Sequence, residues 1–239
     1  MTKWRSGRLK SSRHWKPGAE VFGVRKSGLV MRWLSSVRKS GKTSVHDSGK
    51  TPASEPRLQP TVQTERLVLR PFVAADAVRL SELAGKHRIA DTTVSIPHPY
   101  SPDQALDDIH KYSEEFILGT GAYFAIALRE APQDLVGGNL IKTIDRPHEQ
   151  GELGYWIDEA YTGRGLVTEA ARAMLDYGFN TEGLNRICAY HMVRNNASGN
   201  VLARLGMRQE GRLRQMIKKW DVFEDVLVWS ILRSEYNEQ

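Results

Sequence analysis

The chain has 239 residues, of which 40% are apolar and 26% charged, with a formal net charge of +6 and a single cysteine, Cys188. This length suits one sizeable domain or at most two small ones, and one cysteine excludes both an internal disulfide framework and a cysteine-based zinc site. No apolar run approaches the roughly 18 to 20 residues needed to cross a bilayer, so the expectation is a cytoplasmic protein with no membrane partner.

The charge is divided unevenly. Residues 1–60 hold 14 Lys or Arg against Glu20, Asp47 and Glu55, a balance of +11, which leaves −5 for the rest. This first stretch is rich in Ser, Gly, Lys and Arg, and its apolar residues follow no period. Such a segment buries too little apolar surface to offset the entropy of ordering it, so a disordered basic arm is predicted. Only residues 21–37 have the makings of a short basic amphipathic helix. Three readings stand for the arm: a polyanion-binding tail, an organellar transit peptide, or a start codon set too far upstream, with Met31 as a later start.

The folded domain is predicted to span residues 61–235. Residues 66–70 alternate like a half-buried strand and stop at Pro71. Asp76 is placed to cap a helix running to about Lys86, with Val78, Leu80 and Leu83 apolar. A second helix begins at Ser101-Pro102, with Pro at its first position, and ends by Gly119 and Gly121. Strand-like runs follow at 123–128, 135–143 and 153–157, the first two joined by a hairpin through Pro132-Gln133-Asp134. Residues 168–179 put Ala170, Ala171, Met174, Tyr177 and Gly178 on one helical face. A strand at 186–191 and a short helix at 197–205, with Ala197, Val201, Leu202 and Leu205 inward, precede two final strands near 207–215 and 225–232. The fold class is α/β (α+β) with a mixed sheet.

The chemistry concentrates in Tyr155-Trp156-Ile157 and in Tyr161-Thr162-Gly163-Arg164-Gly165-Leu166-Val167-Thr168: a strand, a loop with two glycines and an arginine, then a helix. A helix start leaves four N–H groups unpaired and carries partial positive charge, so it favours an anion. Glycines let the backbone approach a phosphate, and Arg164 adds a cation. The pattern is neither a Walker loop nor a GxGxxG fingerprint; an ordinary tight helix entry is the alternative.

The chain resembles the GNAT acetyltransferase superfamily, in its RimJ/RimL-like ribosomal-protein N-acetyltransferase branch. The resemblance rests on residues 151–157, 161–165 and 168–171, on Gly183-Leu184-Asn185-Arg186, Asn195-Asn196-Ala197-Ser198, Leu205-Gly206-Met207 and Glu210-Gly211, and reaches back to residues 64–70. It implies a mostly antiparallel sheet splayed in the middle, flanked by helices, with acetyl-CoA as co-substrate and a primary amine as acceptor, such as a protein N-terminus. Residues 163–168 would meet the pyrophosphate; Tyr155, Trp156, Ile157 and Asn195 would line the pantetheine arm. Val167 stands where the family has Gly or Ala. Glu152 is the candidate base, with a surface carboxylate as the alternative. The usual Tyr acid is replaced by Leu202, and the branch points instead to Ser198, with a helix-capping serine as the alternative. Backbone N–H of Tyr155 or Trp156 would serve the carbonyl oxygen. Asp225, Trp220, Phe223 and Tyr100 are placed near the acceptor side or in plain packing roles. The histidines share no metal-ligand spacing, so no metal is expected. Two further readings remain: a small-molecule amine as acceptor, or a non-catalytic CoA- or RNA-binding module. Nucleic acid would bind only through the arm, and the protein would be a monomer or homodimer.

Overall fold

The computed structural model describes residues 57–238. The arm up to residue 56, with its 21–37 stretch, lies outside the described residues. Arg57 and Gln59, assigned to the arm by composition, already bind the domain: Gln59 Nε2 donates to Tyr123 O at 2.7 Å, and Arg57 donates to Phe116 O at 3.2 Å.

Eight strands form one sheet in the order β1-β2-β3-β4-β5-β6-β8-β7. They are β1 Val62–Gln63, β2 Leu67–Pro71, β3 Ala122–Leu128, β4 Ala131–Asp145, β5 Gln150–Ile157, β6 Arg186–Met192, β7 Arg208–Lys219 and β8 Val222–Leu232. Every pairing is antiparallel except β5 with β6, whose parallel alignment requires a crossover. The helix α4, Leu166–Asp176, supplies it.

The sheet is covered on both faces. Along β3, Phe124 and Ile126 turn to one side and Tyr123 and Ala125 to the other, and nearly the whole strand is buried, as a strand between two helical layers must be. On one face α1 (Ala77–Ala84) and α3 (Pro102–Leu118) pack Leu80, Leu83, Ala105 and Ile109 against Tyr123 and Leu135. On the other, Leu166, Ala170, Ala171 and Met174 of α4 and Leu202 of α5 (Asn196–Arg204) pack against Leu69, Phe124, Ile141 and Ile187.

Local signals locate most elements. Ser101 caps α3 in a reciprocal box with Gln104, and Gly119 ends it in the left-handed conformation at φ 71°. Several expectations are corrected by tertiary contacts. Asp76 does not cap α1: its carboxylate accepts from Val73 N at 2.9 Å and from the Arg70 guanidinium, so it anchors β2 instead. Val78 is exposed while Leu80 and Leu83 are buried. The β3–β4 turn falls at Arg129 and Glu130, and residues 132–134 belong to β4. Ala197 is exposed, because α5 begins with its first turn over a cleft. The six-residue helix α2, His87–Thr92, has too short a period to read from sequence; the terminal α6, Arg233–Asn237, is shorter still.

Asn139 on β4 is 1% exposed; its amide donates to Ala170 O at 2.7 Å and accepts from Leu140 N at 3.1 Å, clipping α4 to the sheet. Asn139→Ala is expected to cost about 1 to 3 kcal/mol, since it leaves a buried carbonyl short of a partner. Thermal unfolding checks this; an unchanged midpoint would show that the clip contributes nothing.

Candidate active site

The site is built where β5 and β6 part. Their parallel pairing runs Gln150↔Arg186, Gly151↔Ile187, Glu152↔Cys188 and then stops, although both strands continue. Beyond this point β5 bonds only to β4, and β6 only to β8. Asp158 N donates to Val136 O at 2.8 Å, which fixes the alternation along β5. Even-numbered residues bond to β4, so the N–H groups of Leu153, Tyr155 and Ile157 face the gap and that of Trp156 is spent on β4. Of the two expected backbone donors to a substrate carbonyl, Tyr155 is the one so directed.

The gap widens into a cleft of about 660 Å³. Glu152, Tyr155, Trp156, Ile157, Gly163, Gly165, Leu166, Val167, Thr168, Asn195 and Ser198 all line it, so the sequence-predicted residues converge on one place. Arg164 is the exception. Its guanidinium lies 5.5 Å from the Tyr161 ring centroid on the exposed side of the loop, and it does not line the cleft.

The glycine loop is shaped by backbone constraint. Gly163 and Gly165 have φ of 75° and 77°, a region that costs an L residue about 1 to 2 kcal/mol. Gly165 is the residue before α4, and the first helical bond runs from Glu169 N to its carbonyl at 3.0 Å. The N–H groups of Leu166, Val167 and Thr168 therefore have no intrahelical acceptor. Val167 retains its N–H in this set and packs its side chain against the core. Glu169, which would oppose an anion here, is drawn away. Thr64 Oγ1, Arg66 N and the Arg66 guanidinium all donate to its carboxylate, and Arg66 also donates to Arg164 O at 2.9 Å. Burial would raise the Glu169 pKa, but these hydrogen bonds outweigh it and hold the carboxyl below its usual range. Arg66 thus braces the loop, a role that nothing local in the sequence announces.

Across the cleft, Asn195 caps α5 by accepting from Ser198 N at 3.3 Å. The capping task therefore belongs to Asn195, and the Ser198 hydroxyl instead meets the Tyr155 hydroxyl at 3.0 Å. Burial pushes the Tyr155 pKa up to about 12, keeping the phenol protonated. Glu152 faces the opposite side of the sheet and is ion-paired with Lys142 Nζ at 3.0 Å. Cys188, beside it, hydrogen-bonds Gly151 O at 3.5 Å, and burial raises its thiol pKa, so it is no ready thiolate. Buried His191 is held to Met192 O through Nδ1 at 2.9 Å.

The α2 segment and the residues after it, including Arg88, Thr92, Thr93 and Ser95, close the Glu152 side of the cleft. Of the residues expected near it, Trp220 packs on His87 at 4.4 Å between ring centroids, and Phe223 is exposed. Asp225 binds Gln215 N at 2.8 Å and Arg212, pinning a bulge in β7. Tyr100 is buried and donates to Asp108. None of these four lines the cleft.

The chain that forms this cleft is similar in sequence and in fold to proteins of known kind. The profile of the Acetyltransferase (GNAT) domain matches residues 66–208. The uncharacterised N-acetyltransferase p20 of Bacillus licheniformis is 30% identical over 176 residues, 74% of this chain and 98% of that protein. The ribosomal protein uS5-alanine N-acetyltransferase of Escherichia coli (strain K12) is 28% identical over 157 residues, 62% of this chain and 78% of that one. The structure of Mycobacterium smegmatis RimJ in complex with CoA-disulfide matches with a TM-score of 0.66 at 26% identity, covering 71% of this chain and 83% of the other. Since the matched profile spans the splayed strands, the glycine loop and α4, this chain belongs to the GNAT family of N-acetyltransferases.

Proposed function

We propose that the protein transfers the acetyl group of acetyl-CoA directly to a primary amine, and that the acceptor is a protein N-terminal amine such as that of a ribosomal protein. The opening of the sheet beyond Glu152↔Cys188, with unpaired N–H groups at its edge leading to the α4 N-terminus, carries the reading. The residues fit an extended ligand with an anionic end. Gly163, Gly165, Leu166, Val167 and Thr168 offer backbone at the diphosphate end, with Arg164 supplying long-range positive charge from outside. Tyr155 and Ile157 offer N–H groups along the arm, and Trp156 spaces them. Asn195 presents its amide from the facing wall.

The two faces of the sheet divide the labour. Tyr155 and Ser198 lie on the α5 side, Glu152 and Lys142 on the α1–α3 side, and the gap joins them. Glu152, acting directly or through water, takes a proton from the incoming ammonium. The amine lone pair then attacks the thioester carbonyl; the C–N bond forms, the C–S bond breaks, and its electron pair goes to sulfur. Tyr155 N–H stabilises the carbonyl oxygen as charge gathers there. The nitrogen sheds its second proton as the amide forms, and Ser198, held by Tyr155, relays that proton to sulfur, so the thiol leaves and the hydroxyl is restored. The ribosomal acceptor is supported by relatives named for acting on ribosomal proteins.

Ser198→Ala is expected to lower kcat about 100-fold while acetyl-CoA affinity changes little, a split that steady-state rates and calorimetric titration would resolve. An unchanged rate would remove Ser198 from the chemistry. The function itself is tested by thiol release from acetyl-CoA with N-terminal peptides of ribosomal proteins against spermidine as a small amine. Preference for spermidine would replace the acceptor, and no release with either would defeat the proposal.

A further inference from the structure

Lys142 on β4 stands directly opposite Glu152 on β5, and its Nζ lies 3.0 Å from the Glu152 carboxylate. Their neighbours Ile141 and Leu153 turn into the α4-side core, so the alternation sends Lys142 and Glu152 to the α1–α3 side. The pair sits where β5 and β6 separate, at the end of the gap away from the α4 N-terminus. One third of the Lys142 side chain remains in water, and it lines the cleft. Of the other basic side chains lining that cleft, Arg88, Arg194 and Arg204 are guanidinium groups, which do not accept acyl groups, and His191 is buried with its Nδ1 on Met192 O. Among the described residues, Lys142 is the primary amine of the cleft, and it is already ion-paired with the proposed base.

We propose that Lys142 is a self-acetylation site: without an external acceptor, its Nζ receives the acetyl group in place of the substrate amine. The inference rests on the proposed reading of the cleft. One proton of the Lys142 ammonium passes to Glu152 and on to solvent. The Nζ lone pair attacks the thioester carbonyl carbon, a C–N bond forms, and the C–S bond breaks with its electron pair on sulfur. The second proton of the amine moves to sulfur, giving the free thiol and an Nε-acetyl group on Lys142. A tethered amine beside its base has a high effective concentration, so the step needs no binding of a second molecule. Acetylation removes the positive charge facing Glu152 and fills the acceptor side, so the modified enzyme is the less active form.

The test incubates the full chain with acetyl-CoA alone and follows intact mass and peptide maps. The expected result is one added acetyl group on Lys142, lost in Lys142→Arg, which keeps the ion pair, and slowed about 100-fold in Glu152→Gln. Calorimetric titration of acetyl-CoA into the same sample separates the two readings. Binding without acetylation of Lys142 overturns this inference and leaves the proposed function standing. So does acetyl spread evenly over surface lysines at the rate of a heat-unfolded control. Absence of binding overturns both.

Discussion

Replacing Gly165 by aspartate is expected to weaken acetyl-CoA binding at least about 100-fold while the domain stays folded, a loss of roughly 2.8 kcal/mol. Gly165 sits at φ 77° immediately before α4, between the loop and three N–H groups left without intrahelical acceptors. Aspartate is one of the few L residues that tolerate this conformation, so the strain is on the order of 1 to 2 kcal/mol and falls on stability rather than affinity. Space is not limiting, because a Cβ at Gly165 would meet only Arg66 Nη2, at 3.6 Å. The damage is electrostatic. A carboxylate beside the site of a diphosphate opposes it by several kcal/mol at a partly solvated surface, about 4 kcal/mol for unit charges at 4 Å. Gly165→Asn keeps the shape without the charge, so the affinity ratio of the two variants isolates that effect. Equal, near-native affinities would remove the anion cradle from the account of this cleft.

Glu182→Ala is expected to destabilise the domain by about 3 kcal/mol, lowering the melting midpoint by roughly 6 to 12 °C. The Glu182 side chain is wholly buried and accepts hydrogen bonds from Tyr177, Arg57 and Arg146. Removing it strands two guanidinium groups, but these keep 31% and 43% of their side-chain surface in water, which holds the cost at the low end for a buried pair. Burial alone would raise the Glu182 pKa; the hydrogen bonds from Tyr177 and Arg146, with the charges of both arginines, win and lower it. A depressed folded-state pKa means stabilisation that is fully present above the unfolded value of about 4.3. The advantage of wild type over Glu182→Gln should therefore hold from neutral pH to about 5 and shrink as pH falls below 4.3. Denaturant melts across that range check the sign; an advantage that grew on acidification would mean the carboxyl is neutral in the folded state.

Much of this protein was readable before any tertiary contact. The run Gly163-Arg164-Gly165 before an amphipathic stretch marked a helix entry suited to an anion, because glycine conformation and helix-end polarity act within a few residues. Ser101-Pro102 opening α3 and Gly119 closing it were legible for the same reason. Other features depended on which distant residue arrived alongside. Asp76 had every local sign of a cap, yet Arg70 and Val73 claimed its carboxylate. Ser198 looked like a cap until Asn195 took that place and Tyr155, 43 residues away, met its hydroxyl. Arg66 bracing the glycine loop and Lys142 facing Glu152 follow from strand order and register, and so does the point at which β5 leaves β6. The sequence by itself determined most of the longer elements, the glycine loop and the family resemblance, since backbone preference and periodicity are local. The tertiary structure alone decided which hydroxyls, carboxylates and amines share the cleft, since those pairings span tens of residues and are set by the packing of the whole sheet.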